Sequence, residues 1–377
     1  MSETLRPDDA TQVREIVSAA GSRGERITVR GGGSKDGFGA PTSDTTVLDM
    51  RGMSGIIDYD PPELVLTLLA GTSLAEVQAL VAAQGQMLAF DPFDTSAGGG
   101  STIGGVVAAG VAGPARLTRG ATRDHVLGFE AVSGRGECFV AGGKVVKNVT
   151  GYDLPKLITG SWGRLAAITQ VTLKVMPRPH MQSTLLLRGL DVRSGVAAMA
   201  RALGAPVDLS AAAHLADWHG EAVTALRLDG FPPSVSARSQ TLAALLDDMG
   251  NLDAISADHG DALWDAVRHV SPLPIDCPLW RIVVPPSAAP DIVAAVPDAA
   301  WMLDWAGGLI WLASRGDPLT IRRLAEAGGG HASLVRADAA MRATVPALHP
   351  QPAPVAALEA RVRRAFDPAG VFETGRF

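Results

Sequence analysis

The sequence predicts an α+β protein of two domains, the second an antiparallel sheet made from two ferredoxin-like units. Three observations carry that prediction. The chain has 377 residues, too many for one ordinary core. Of its 42 glycines, fourteen lie between Gly98 and Gly151, so the two halves differ in composition. Met176-Pro177-Arg178-Pro179 then marks a boundary, because neither proline can extend a preceding strand. Beyond it, strand–helix–strand repeats with a hairpin between halves, which is the ferredoxin-like order. The expected units are 1–178, 179–345, and a returning helix and tail over 346–377.

In the first unit, Val13, Ile16, Val17 and Ala20 follow helical spacing, so 9–20 reads as an amphipathic helix broken by Gly21 to Gly24. A strand at 27–30 enters the first glycine cluster, Arg30-Gly31-Gly32-Gly33-Ser34-Lys35, and further strands are expected at 46–49 and 64–69. Ser73-Leu74-Ala75-Glu76 is a capping box for a helix reaching Gln84, followed by an extended run at 87–90. After the second glycine cluster, strands are expected at 126–133, 137–141 and 171–175.

In the second unit, the pattern predicts strands at 184–188, 211–215, 223–228 and 252–256, with helices at 192–203 and 235–249. A linker helix over 262–270 leads to a second round. That round places strands at 280–284, 301–304, 309–313 and 332–335, and helices at 288–296 and 319–327. The expected arrangement is one sheet with helices on one face. A final helix, 355–366, ends at Asp367-Pro368-Ala369-Gly370.

Composition narrows the function. Apolar residues make up 47% and charged residues 19%, which argues against disorder. A net charge of -6 without a basic block excludes a nucleic-acid surface. The N-terminus lacks a basic segment followed by an apolar core, so no signal peptide is expected. The most apolar run, 103–112, falls short of the ~18 residues a membrane span needs. Cys138 and Cys277, with no CxxC pair, suit a reducing cytoplasm. They also exclude a cysteine-ligated iron–sulfur cluster carried by this chain alone, since such clusters use about four thiolates.

Glycine weakens helices and strands, so two dense clusters require a reason. Close approach of backbone N–H groups to anionic oxygens supplies one, and an extended, phosphate-bearing cofactor is expected. Gly33-Ser34-Lys35 is not a Walker A loop, because serine precedes the lysine and Asp36 follows it. No G-x-G-x-x-G joins a strand to a helix, so a Rossmann site has no support.

Four segments in order resemble the FAD domain of the vanillyl-alcohol oxidase and p-cresol methylhydroxylase superfamily (the PCMH type). They are Arg30 to Ser34, Gly104-Gly105, Gly120-Ala121-Thr122-Arg123-Asp124-His125-Val126-Leu127-Gly128, and Gly151-Tyr152-Asp153-Leu154 continuing to Gly163 and Ile168. Phe366-Asp367-Pro368-Ala369-Gly370-Val371-Phe372 is similar to the 2-hydroxy-acid oxidase branch. Within that branch, LAGP-like and VKN-x-TGYDL segments look nearest to the smaller FAD-binding subunits of bacterial glycolate oxidases.

The resemblance implies FAD, held non-covalently, since Ser34 and Lys35 stand where a flavin-linking histidine often sits. Arg30, Gly31, Gly32, Gly33 and Ser34 would meet the diphosphate on one side. Ser101, Thr102, Gly104 and Gly105 would meet it on the other, at a helix N-terminus. Gly120, Arg123, Asp124 and Val126 would line the channel, with Gly163 and Ile168 near the adenosine half. Tyr152 and Asp153 would join them, or form a turn that tethers the loop.

The implied reaction is oxidation of glycolate to glyoxylate, with hydride passing to flavin N5. Electrons would then go to an iron–sulfur subunit, beside a catalytic flavoprotein paralogue, in a complex that reaches the membrane only through its partners. Arg268 is the candidate carboxylate clamp and His331 the candidate base, although Ala262, Asp265 and Arg268 also describe an ordinary helix face. No histidine-rich metal site is visible, and Glu373 occupies the family's C-terminal asparagine position, beside an anionic substrate. Those departures leave open a non-catalytic electron-relay subunit, or a stand-alone oxidase of a sugar or lactone.

Overall fold

The computed structural model of the chain describes residues 3–93, 100–144 and 151–377. The start of the second glycine cluster, 94–99, and the segment 145–150 of the VKN-x-TGYDL motif lie outside the described residues.

Among the described residues, the N-terminal half has three sheets, two that share a core and a two-stranded pairing of Gln86–Met87 with Met176–Pro177. Helix Ala10–Arg23 starts where the Asp9 carboxylate accepts from Gln12 N and stops at Gly24, whose φ of 67° is left-handed. It buries Val13, Val17 and Ala20 over a three-stranded parallel sheet in the order Thr4–Leu5, Thr46–Asp49, Ile27–Arg30. An antiparallel sheet lies beside it, ordered Ile56–Asp60, Val65–Leu69, Ala166–Lys174, Val126–Ser133, Cys138–Gly142. Helices Leu74–Ala82 and Ile103–Ala109 pack against that second sheet through Val77, Val106 and Val107. Val371 and Phe372 complete the shared core, and Ile27 N donates to Val371 O at 2.8 Å, so the tail returns here.

The rest of the chain forms an eight-stranded antiparallel sheet. Its order is Leu252–Ile255, Met181–Arg188, Glu221–Gly230, Leu209–Trp218, Ala300–Asp304, Leu309–Ala313, Leu279–Val283, His331–Arg336. Each half has the ferredoxin-like order, and the halves join where His214 and Leu215 pair with Leu303 and Met302. Helices Val192–Leu203, Pro232–Leu246, Ala289–Ala294 and Pro318–Ala327 cover one face with a single core. The linking helix Ala257–His269 is the exception. It crosses to the opposite face, where Leu263, Trp264 and Val267 share a core with Phe93, Ala112 and Ala121 of the N-terminal half. The helix begins earlier than its apolar spacing suggests, because Ser256 caps it by accepting from His259 N. The face that the four helices leave bare is thus pressed onto the glycine-rich half.

Candidate functional site: a cleft where two glycine loops meet

The two glycine clusters touch. A Cβ on Gly32 would lie 1.1 Å from Gly100 O, and one on Gly31 would lie 2.1 Å from Thr102 Oγ1. Ser34 and Ser101 hydroxyls bond at 2.8 Å. The residue that needs a left-handed backbone is Gly33, with φ 80°; Gly32 needs only the absence of a side chain.

Beside this junction lies a cleft of about 750 Å³, part of it open to solvent, lined by Arg30 to Asp36 together with Thr102, Gly104, Gly105, Gly163, Ile168 and Arg376. Among the described residues, the amides of Gly31, Gly32 and Gly33 donate no backbone hydrogen bond. The amides of residues 103–105, across the cleft, are already engaged. Ile103 N donates to Thr72 O, Gly104 N to Ala70 O, and Gly105 N to the Thr102 hydroxyl. The expected helix-end donors at Gly104 and Gly105 are therefore spent on structure. Gly104 instead lets its helix approach Ala70, whose Cβ would be 2.7 Å from an added one.

A dinucleotide diphosphate matches this cradle. It is walled by backbone that no side chain could share, offers uncommitted amides, and is lined, among the described residues, by Arg30, Lys35, Arg376 and the carboxylate Asp36. Other expected cofactor residues lie apart from it. Gly120, at φ 82°, turns over Asp124, whose carboxylate accepts from Ala121 N at 2.8 Å, and Val126 is in the core. Arg123 is on the surface, and Tyr152, beside the undescribed segment, is 91% exposed. Asp153 caps helix Leu154–Ile158 by accepting from Lys156 N, the turn-forming role that competed with cofactor contact.

A second cavity of about 1020 Å³ adjoins the first and shares Ser34, Lys35, Ala109 and Trp162 with it. It lies between the glycine-rich half and the eight-stranded sheet, where Phe93 stacks on Trp311 at 5.3 Å. Its cations are Lys35, Arg281 and Arg336. Arg281 keeps some surface open to the cavity although protein atoms surround it densely. That burial, aided by Arg116, pulls its pKa down to about 10. Its guanidinium lies 4.9 Å from the Trp305 ring, which Arg116 covers at 4.4 Å, and Trp305 Nε1 donates to Gly113 O at 3.0 Å. Burial also lowers the pKa of Arg336, which donates to Pro274 O at 2.7 Å.

Neither catalytic candidate from the sequence lines these cavities. Arg268 pairs with Asp265 on its own helix, and His331 opens an edge strand beside His349, 6.3 Å between rings. Glu373 is not near the second cavity. It accepts from Arg363 Nη1 at 2.6 Å and lines a smaller cleft with Ile27 and Thr28. Arg281 and Arg336 were missed because their partners come from distant segments. The available signal was a lone cation inside the apolar strand Leu279–Val283. Among the described residues, no three His, Cys, Asp or Glu side chains converge as a metal site would require.

Asp304 is a buried carboxyl at this interface. Its Oδ1 accepts from Trp305 N at 2.7 Å, and burial raises its pKa to about 7 against the opposing pull of that bond, Arg227 and Arg281. Asp91 adds to the rise. The native state therefore holds a proton that the unfolded chain releases above about pH 4, and stability falls as pH rises from there towards 7. Asp304→Asn is expected to remove that slope; urea midpoints between pH 5 and 8 that decline alike in both chains would refute it.

Residues 2–142 match the family model described as an FAD binding domain. The chain is 34% identical over 99% of its length to the glycolate oxidase subunit GlcE of Escherichia coli strain K12, covering 98% of that protein. It is 33% identical over 48% of its length to the glycolate oxidase subunit GlcD of Bacillus subtilis strain 168, spanning only 38% of that longer protein. A solved alkyldihydroxyacetonephosphate synthase shares the fold, with a TM-score of 0.68, 14% identity, and coverage of 98% of this chain and 76% of that one. No helix among the described residues is long and apolar enough to cross a membrane. Matched almost end to end at the sequence level and sharing the flavoprotein fold, the chain belongs to the FAD-dependent oxidoreductase family that includes the GlcE subunit of glycolate oxidase.

Proposed function

We propose that this chain is the FAD-binding subunit of a glycolate oxidase complex and takes part in oxidising glycolate to glyoxylate. The observation that carries this reading is the continuity of the glycine-loop cleft with a cavity whose far wall presents Arg281 and Arg336. When bound, FAD supplies the acceptor for the hydride leaving the hydroxyl-bearing carbon. The chain's own residues do the rest. Arg281 and Arg336 offer planar forks that suit a carboxylate, while Phe93 and Trp311 exclude water around it. Ser34 and Lys35 occupy the first loop where a histidine could form a flavin bond, which supports non-covalent FAD. Two cysteines cannot hold a cluster, so electrons leave for an iron–sulfur partner. The working units are 1–178, 179–345, and the returning 346–377.

One observation favours a second reading, a subunit that relays electrons for a catalytic paralogue. No carboxylate or histidine is among the described residues lining the second cavity, so none of those residues is a carboxylate or imidazole base for the hydroxyl proton. Anaerobic titration of the purified, FAD-loaded chain with glycolate separates the two. Bleaching of the flavin band supports turnover by this chain. A loaded flavin that stays oxidised, but is reduced once the paralogue is added, supports the relay.

A further inference from the structure

Two arginines from separate segments grip the turn that follows the first glycine cluster. Arg376 donates Nε to Phe38 O at 2.8 Å and Nη2 to Lys35 O at 2.5 Å, and Ala40 N donates back to Arg376 O at 2.9 Å. Arg342 donates Nη1 to Asp36 O at 3.1 Å and Gly39 O at 3.2 Å. Arg342 sits on helix Ala339–Thr344, which follows the last strand of the eight-stranded sheet.

The carbonyls of residues 35, 36, 38 and 39 are thereby held on two guanidinium groups, one of which, Arg376, also lines the cleft. In a planar trans peptide, the carbonyl of one residue opposes the amide of the next, so fixing these carbonyls fixes the amides of residues 36, 37, 39 and 40, and Asp36 N donates to Gly33 O at 3.0 Å, which ties the turn to the glycines. Phe377 extends the grip. Its ring lies 5.2 Å from that of Trp162, which stacks on Phe38 at 4.3 Å and lines both cavities.

We propose that Arg376 and Arg342 are positioning residues for the dinucleotide. They fix the 35–39 turn and, through the Asp36 N to Gly33 O bond, the backbone that presents the Gly31 to Gly33 amides to the diphosphate, and they tie that loop to the placement of the eight-stranded sheet. The inference rests on the cleft being the FAD site.

FAD titration of the full apo-chain by flavin fluorescence, with thermal midpoints before and after FAD, tests it. Arg376→Gln is expected to weaken FAD at least about tenfold, a loss on the scale of about 1.4 kcal/mol. The apo midpoint should stay near wild type while the FAD-induced rise shrinks. Arg376→Lys should remain weak, because a compact ammonium lacks the planar fork whose Nε and Nη2 meet the Phe38 and Lys35 carbonyls. Arg342→Gln should also weaken FAD, and the double variant should lose less than the two single effects combined, because both act through one loop. Wild-type affinity in Arg376→Gln, or full rescue by Lys, overturns the proposal. If Arg376→Gln does not fold, Arg342→Gln decides by the same titration. A wild-type chain that binds no FAD strikes the reading of the cleft itself.

Discussion

Gly32→Val is expected to abolish FAD retention. The first atom of the new side chain would fall 1.1 Å from Gly100 O, where no rotamer change relieves the overlap because the obstacle is backbone. The two loops must separate, and the cleft they share opens with them. Overpacking of this kind costs about 1–3 kcal/mol in a core that can relax. Here the strain falls directly on the ligand's cradle. Purified variant should carry under about a tenth of the wild-type flavin absorbance, since about 1.4 kcal/mol already shifts occupancy tenfold. Ala at the same position places the same first atom there, so Gly32→Ala should also lose FAD. A yellow, fully loaded Gly32→Val protein would show that the loops do not meet around the cofactor.

The second large effect is expected at Arg281. Replacing it with Lys keeps the charge but removes the planar fork and the stacking over Trp305, 4.9 Å away. A charge-assisted hydrogen bond contributes about 1.5–3 kcal/mol, so glycolate binding should weaken roughly 10- to 100-fold. FAD content should not change, because Arg281 does not line the glycine-loop cleft. Perturbation of the flavin spectrum by glycolate, read in both proteins, measures this without requiring turnover. Equal apparent affinity would remove Arg281 from the substrate site. Arg268→Lys is the matched control, and its ion pair with Asp265 on the helix surface predicts no change.

These two positions also show where sequence reasoning works and where it stops. Gly32 was visible because glycine clustering is a local signal with a short list of causes. The duplicated unit was visible for a similar reason, since each strand and helix carries its own period and the order repeats. Arg281 sits in a strand whose neighbours in the sheet, Trp311 and Ser333, come from 30 and 52 residues away. Nothing local to Leu279–Val283 says that this arginine faces a cavity shared with Lys35. The same limit hid the Arg376 and Arg342 grip on residues 35–39, which spans more than 300 residues of chain. Arg268 misled for the opposite reason, because a local pattern matched while its helix turned the side chain onto Asp265. Gly104 and Gly105 line the same cleft as the first loop, yet their amides are committed to Ala70 and Thr102. Only the three-dimensional hydrogen-bond accounting separates a donor that is free from one already used.

The central claim is that Gly31 to Gly33 and the Gly100–Thr102 stretch enclose the diphosphate of one FAD. A structure of the chain with FAD bound measures it most directly. The account predicts both phosphorus atoms in the cleft beside Arg30 and Arg376, with phosphate oxygens accepting from the Gly31 to Gly33 amides. A diphosphate seated elsewhere, with those amides turned away from it, would contradict the account.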